Sequence, residues 1–125
     1  MILDTNAVSA LLTGDKALGK LLGESDRHHL PLHVIAEYEF GILGLRRGRR
    51  LQATFRRLEV DSYLLLPDRE TATLYAAIRF ELKSAGTPIP ENDLWIAALA
   101  KQFSLDVVSR DPHFDCVRGI RRLDW

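Results

Sequence analysis

Asp4, Glu37 or Glu39, Asp93 and Asp111 are the residues whose surroundings could do chemistry. Asp4 ends the apolar run Met1-Ile2-Leu3, Asp93 follows Pro88-Ile89-Pro90-Glu91-Asn92, and Asp111 follows Val107-Val108-Ser109-Arg110. Carboxylates are hard oxygen donors. Gathered without cysteine or clustered histidine, they select Mg²⁺ or Mn²⁺, ions that promote in-line displacement at phosphorus. Singly, each acid has an ordinary explanation: Asp4 can favour the positive end of a helix capped by Thr5 or Asn6, and Asp93 can complement a helix dipole. The chemistry therefore depends on whether the fold brings them together.

The elements that must do so are legible in the hydrophobic pattern. Met1-Ile2-Leu3 reads as a short buried strand, and Ala7-Val8-Ser9-Ala10-Leu11-Leu12 as the helix after it. A turn at Thr13-Gly14-Asp15 leads into a helix over residues 16–22, and His29-Leu30-Pro31-Leu32 suggests a second strand with Pro31 at its end. Ile35, Tyr38, Ile42 and Leu45 form a helical stripe. Around that axis Glu37 and Glu39 lie roughly 160 to 200° apart, so only one can face a given site. Periodicity does not choose between them, although Gly41 and Gly44 leave the Glu37 flank open. Residues 62–66 read as a third strand, and Asp68 with Thr71 starts a long helix with Leu74, Ala77, Ile78 and Leu82 on its buried face. Glu91 or Asn92 opens a helix carrying Trp95, Ile96, Leu99, Ala100 and Phe103, with Asp93 in its first turn. Asp106-Val107-Val108 is a fourth strand, and residues 119–125 supply an edge strand with Ile120 and Trp125 inward.

Strands alternating with helices predict an α/β fold, a three-layer sandwich around a mainly parallel central sheet of four to five strands. Right-handed crossovers put successive strand ends on one edge, where Asp4 and Asp111 meet; helices starting at that edge can bring Glu37 and Asp93 to it. Four carboxylates there repel unless something positive sits among them.

Composition narrows the class. The 125 residues, 46% of them hydrophobic, predict a single domain over 1–125 with a real core. Seventeen basic and seventeen acidic residues cancel, so no global positive field advertises a nucleic-acid partner. The lone Cys116 excludes an internal disulfide and a cysteine-based zinc site. Asp4 interrupts a would-be signal peptide, and no apolar run is long enough to span a bilayer; a cytoplasmic protein without membrane partners is expected. His28 and His29, without a third histidine or helical pairing, read as surface or packing residues. The local exception to neutrality is the stretch from Leu45 to Leu58, with Arg46, Arg47, Arg49, Arg50, Arg56 and Arg57 and no acid. It suits a solvated helix face, phosphate contact, or docking of an acidic partner segment.

With these motifs in view, the chain resembles the PIN-domain ribonucleases and, within them, the VapC-type toxins of bacterial toxin–antitoxin pairs. The resemblance spans nearly the whole chain. It rests on Met1-Ile2-Leu3-Asp4-Thr5-Asn6, on Ala36-Glu37 with Gly41, on residues 88–98 from Pro88-Ile89-Pro90 through Asp93 to Ala97-Ala98, and on Ser109-Arg110-Asp111-Pro112-His113-Phe114. It implies a PIN-like fold in which Asp4, Glu37, Asp93 and Asp111 hold Mg²⁺ or Mn²⁺, and it selects Glu37 over Glu39. Asn6 and Ser109 would be polar supports. Two residues after Asp111, where some relatives carry another acid, this chain has His113. The resemblance further implies hydrolysis of RNA phosphodiester bonds, a homodimer, and a cognate VapB-type antitoxin through which alone the protein meets DNA. Arg46, Arg47, Arg49 and Arg50 would then contact RNA or antitoxin. Alternatives are an RNA-processing nuclease of the same fold without a toxin role, a non-catalytic α/β interaction module, and phosphoryl transfer through an aspartyl phosphate on Asp4. The last lacks the second acid of an Asp-x-Asp motif.

Overall fold

The computed structural model describes residues 1–23 and 28–125. Five strands form its sheet: β1 (Ile2–Leu3), β2 (His29–Pro31), β3 (Tyr63–Leu65), β4 (Val107–Val108) and β5 (Arg122–Leu123). All pairings are parallel, in the order β3-β2-β1-β4-β5. The chain first builds outward from β1 to β2 and β3, then returns to place β4 on the other side of β1. The strand order thus reverses between β1 and β4, and in an open α/β sheet ligands bind outside the strand ends at such a point.

The connections are helical. α1 (Thr5–Leu12) and α2 (Lys16–Leu22) precede β2; α3 (Leu32–Ile42) and α4 (Gly48–Val60) precede β3; α5 (Arg69–Ser84) and α6 (Glu91–Phe103) precede β4. A 3₁₀ turn over Pro112–Cys116 precedes β5. Right-handed crossovers place α1 to α4 on one face of the sheet and α5 and α6 on the other. The helix contacts divide in the same way, with α1 against α2, α3 and α4, and α5 against α6.

Local chemistry explains the boundaries. Asp15 caps α2 by accepting from the Ala17 and Leu18 amides, and Asp68 and Thr71 form a reciprocal capping box on α5. Thr71 is fully buried and also bonds Gln102 of α6, while Gln102 donates to Asp68, tying the two helices together. Gly48 opens α4 because a Cβ there would stand 2.7 Å from the Ile42 carbonyl oxygen.

Ile2, Leu3, Val107 and Val108 are wholly buried, since helices cover both faces of β1 and β4. α6 is buried nearly all round, and Ala97, Ala98 and Ala100 let it approach its neighbours closely. The periphery departs from the apolar pattern. Leu45 lies beyond the end of α3 and is exposed, Ala77 faces solvent, and Tyr63, Leu64 and Leu66 are exposed around the edge strand β3. Apolar periodicity records which face is apolar, not whether the chain itself supplies a cover.

Leu99→Ala should cost about 2–5 kcal/mol by opening a cavity in a site with no solvent access. Phe103→Ala, on the same helix but 44% exposed, should cost less than about 1 kcal/mol. Urea denaturation of the two variants measures the contrast.

Candidate active site

The site begins with a strand that ends in a cap. Asp4 leaves β1 in an extended conformation and becomes the N-cap of α1, its Oδ1 accepting from the Thr5 amide at 2.6 Å. Its Oδ2 accepts from Asn6 Nδ2 at 2.6 Å and from the Ser109 hydroxyl at 2.7 Å. The cap of α1 is thus Asp4 itself rather than Thr5 or Asn6, and the same carboxylate lies within electrostatic range of Asp93 and Glu37.

Ser109 stands beside Asp4 because the ladder between β1 and β4 continues past both strands: the Asp4 amide donates to the Val108 carbonyl at 3.2 Å. The Ser109 hydroxyl accepts from Asn6 Nδ2 and from the Asp111 amide, each at 3.0 Å, while the Asn6 side-chain Oδ1 accepts from the Arg110 amide at 3.2 Å. Asn6 and Ser109 thus clip the two strand-end loops together and direct Asp4. Asp111 in turn caps the 3₁₀ turn, its Oδ1 accepting from the His113 amide at 2.9 Å.

Two helices supply the other acids. α6 starts behind Pro90 and carries Asp93, 9% exposed, in its first turn. α3 starts behind Pro31 and presents Glu37, whose Oε2 accepts from the Thr5 hydroxyl at 2.6 Å. Gly41, one turn further, opens on space where a Cβ would meet nothing within 4 Å. Glu39 points elsewhere, towards Arg56 and Glu59 on α4, where its charge adds to the burial that raises the Glu59 pKa. The structure thus joins Asp4, Asn6, Glu37, Asp93, Ser109 and Asp111 and leaves Glu39 outside.

The electrostatics are those of a crowded set of acids. Burial pushes the Asp4 carboxyl above its ordinary pKa, hydrogen bonds from Ser109 and Thr5 oppose this, and negative charge on Asp93 and Glu37 adds to the rise. Burial likewise raises Asp93; the His113 hydrogen bond opposes it, and charge on Asp111 and Glu37 reinforces it. No lysine or arginine among the described residues pairs with Asp4, Glu37, Asp93 or Asp111, although Asp15, Asp106, Asp115 and Asp124 each have an arginine. Converging oxygens, partly buried and without a fixed counter-charge, fit a hard divalent cation. Asp93, Asp111 and His113 also offer three donor atoms within 4.8 Å of one another.

Arg46, Arg47, Arg49 and Arg50 are exposed at the start of α4 and form no side-chain ion pair among the described residues. Two residues at the acid cluster lay beyond the reach of periodicity. Thr5, which holds Glu37, is signalled only by adjacency to Asp4. His113 places Nδ1 2.9 Å from both Asp93 Oδ2 and Asp111 Oδ1, signalled only by its turn motif.

Comparison with known proteins adds to this geometry. The family model described as PIN domain matches residues 1–120. Ribonuclease VapC5 of Mycobacterium tuberculosis is 31% identical over 122 residues, covering 94% of this chain and 87% of that protein. Toxin FitB of Neisseria gonorrhoeae is 34% identical over 123 residues, covering 89% and 87%. The crystal structure of VapBC-5 from Mycobacterium tuberculosis, a member of the VapBC family of toxin–antitoxin systems, superposes with a TM-score of 0.78. Its identity is 28%, covering 99% of this chain and 97% of that chain.

The raised pKa of Asp93 has a sign that can be tested. The folded value lies above the unfolded one, so the stability associated with the neutral form is full below the ordinary value of 3.8 and is lost as pH rises through the folded value. Asp93→Asn keeps an oxygen that can accept from His113 and removes the charge. In chelator, the variant should be more stable than the parent at neutral pH, with the gap closing as the solution is acidified towards 3.8. Urea midpoints across that range check it; a variant less stable by the same margin at every pH would assign Asp93 a purely structural role.

Proposed function

The chain belongs to the PIN-domain family, and from that premise we propose that it is a divalent-metal-dependent endoribonuclease acting as the toxin of a toxin–antitoxin pair. The observation that carries this reading is the convergence of Asp4, Glu37, Asp93 and Asp111 at the sheet's switch point with no lysine or arginine among the described residues to neutralise them. The relatives named as a ribonuclease and a toxin favour it over an RNA-processing role or a non-catalytic module.

In this reading Asp4, Glu37, Asp93 and Asp111 hold Mg²⁺ or Mn²⁺. When bound, such an ion supplies positive charge that polarises a phosphodiester, makes a water molecule more acidic and stabilises the leaving oxygen. The chain's part is to fix the ligands. Ser109 and Asn6 occupy Asp4 Oδ2 with two donors, which holds the carboxylate plane, and Thr5 holds Glu37 against the same loop. Leu3, which precedes Asp4, and Val108, whose carbonyl accepts the Asp4 amide, are wholly buried, and Asp4 itself is only 6% exposed. No side-chain nucleophile is required, because the attacking group is water.

The partners follow from the same premise: RNA as substrate, a second copy in a homodimer, and a cognate antitoxin through which the pair would reach DNA in the cytoplasm. The arginines at 46, 47, 49 and 50 follow closely in sequence on Phe40, Leu43 and Leu45, which are 76%, 73% and 52% exposed. Leu43, Leu45 and Arg49 line one cleft of about 260 Å³, with Glu39 also on its wall. Apolar side chains among cations suit an acidic, partly apolar antitoxin segment better than a phosphate backbone. Among the described residues, no helix is long and apolar enough to cross a membrane.

Asp4→Asn, Asp93→Asn and Asp111→Asn should each reduce cleavage of labelled RNA by more than the roughly 10–100-fold that loss of an outer partner of a ligand costs. Glu39→Gln should cleave like the parent, and chelator should silence all four. Full activity in Asp93→Asn would sink the nuclease assignment. Replacing Arg46, Arg47, Arg49 and Arg50 together by Ala should abolish antitoxin binding and leave cleavage intact. Impaired cleavage with a shallower salt dependence would instead assign those arginines to the RNA backbone.

A further inference from the structure

His113 stands at the acid cluster yet is neither a carboxylate nor one of the hydrogen-bonding clips on Asp4 and Glu37, and its position is not that of a packing residue. The 3₁₀ turn that carries it is anchored by Phe114, 1% exposed, while the His113 side chain remains 43% exposed. Pro112 restricts the backbone just before it, and Asp111 accepts its amide proton, so the turn that supplies one acid also aims the ring. The ring nitrogen facing inward is Nδ1. It stands 2.9 Å from Asp93 Oδ2, on α6, and 2.9 Å from Asp111 Oδ1, after β4.

Hydrogen bonding explains only part of that arrangement. An imidazole nitrogen carries at most one hydrogen, which can be directed along the line to one carboxylate oxygen but not to two at once. The two equal separations have another meaning when read as ligand–ligand distances. Neighbouring donors on an octahedral ion with bonds of about 2.1 Å stand about 3.0 Å apart. Both observed separations match that edge, and the three donor atoms lie within 4.8 Å of one another.

We propose that His113 is itself a ligand of the catalytic ion, through Nδ1, adjacent to Asp93 and to Asp111, and that it shifts the site's preference from Mg²⁺ towards Mn²⁺. The proposal rests on the nuclease reading above and concerns which ion that site takes. Its chemical basis is the donor set. Mg²⁺ is held almost wholly by oxygen, whereas an imidazole nitrogen suits the first-row transition metals, and Mn²⁺ accepts carboxylate oxygen as well. A site built only from acids would have no such discrimination. Turn geometry presents this nitrogen ready-made, so its orientation is not gained at the moment the ion binds.

The test reads the ion rather than the reaction. The purified full-length chain is loaded with Mn²⁺, and electron spin-echo spectra are recorded for ¹⁴N coupling. The parent should show coupling from a directly bound imidazole, and His113→Asp, which replaces nitrogen by oxygen at the same place, should not. Competition between Mn²⁺ and Mg²⁺ followed by thermal shift should show the Mn²⁺ preference falling in His113→Asp by at least the roughly tenfold that losing even an outer partner of a ligand produces. Mn²⁺ bound to the parent without nitrogen coupling, and lost in Asp4→Asn, would overturn the role of His113 while leaving the nuclease reading in place. No Mn²⁺ binding by the parent would overturn both. The decisive spectrum is that of the parent, so the outcome does not depend on the folding of a variant.

Discussion

The hydroxyl of Ser109 is the joint on which the site turns. It donates its one hydrogen to Asp4 and fills both lone pairs with donors from Asn6 and Asp111. A hydroxyl can do no more. Because it is wholly buried, loss of any of these partners would leave an unsatisfied polar group, so the loops after β1 and β4 hold one mutual arrangement. Such a joint exists only because β1 and β4 are neighbours in the sheet although about a hundred residues separate them in the chain. The reversal in strand order that makes them neighbours also leaves the crevice between their ends open.

Around that joint the chain treats its acids in two ways. Asp15 pairs with Arg110, Asp106 with Arg121, and Asp115 and Asp124 share Arg122. Those arginines brace the loops without neutralising the centre. Arg110 also lies over the Trp125 ring at 4.4 Å, and the Trp125 indole donates to Asp15, so Trp125 helps fix the backbone just before Asp111. Arg122 donates to the Ser109 carbonyl from the other side. Among the described residues no lysine or arginine pairs with the four central acids; two histidines stand near them, His113 at Asp93 and Asp111 and His33 within electrostatic range of Glu37. Burial then raises Asp4 and Asp93, a cost to the ligand-free fold that serves binding rather than stability.

The surface carries a matching sign of incompleteness. Phe40, Leu43 and Leu45 are exposed shortly before the arginines at 46, 47, 49 and 50, which form no ion pair among the described residues, and Tyr63, Leu64 and Leu66 are exposed at the sheet edge. Large apolar side chains on an edge strand and a helix end are disfavoured in a chain that works alone. They accord with surfaces that a partner covers, and VapBC-5, on which the chain superposes, is a member of a family of toxin–antitoxin systems.

The local pattern of residues was enough for much of this molecule. Apolar runs ending in Asp4 and at Ser109 located the two central strands, the Asp68–Thr71 pair located the start of α5, and alternation of strands with helices predicted the parallel sheet. These features depend on neighbours a few residues apart, and a sequence states such relations directly. Resemblance, not periodicity, singled out Glu37 over Glu39, because two positions on opposite sides of one helix look alike until a partner is placed. Tertiary structure supplied that partner: Thr5 stands on one side and Arg56 and Glu59 on the other. It also brought Ser109 to Asp4 and His113 to Asp93, contacts spanning 105 and 20 residues. Such contacts follow from strand order and turn geometry, which arise only when the whole core closes; the sequence determined which residues could take part, and the fold decided which of them meet.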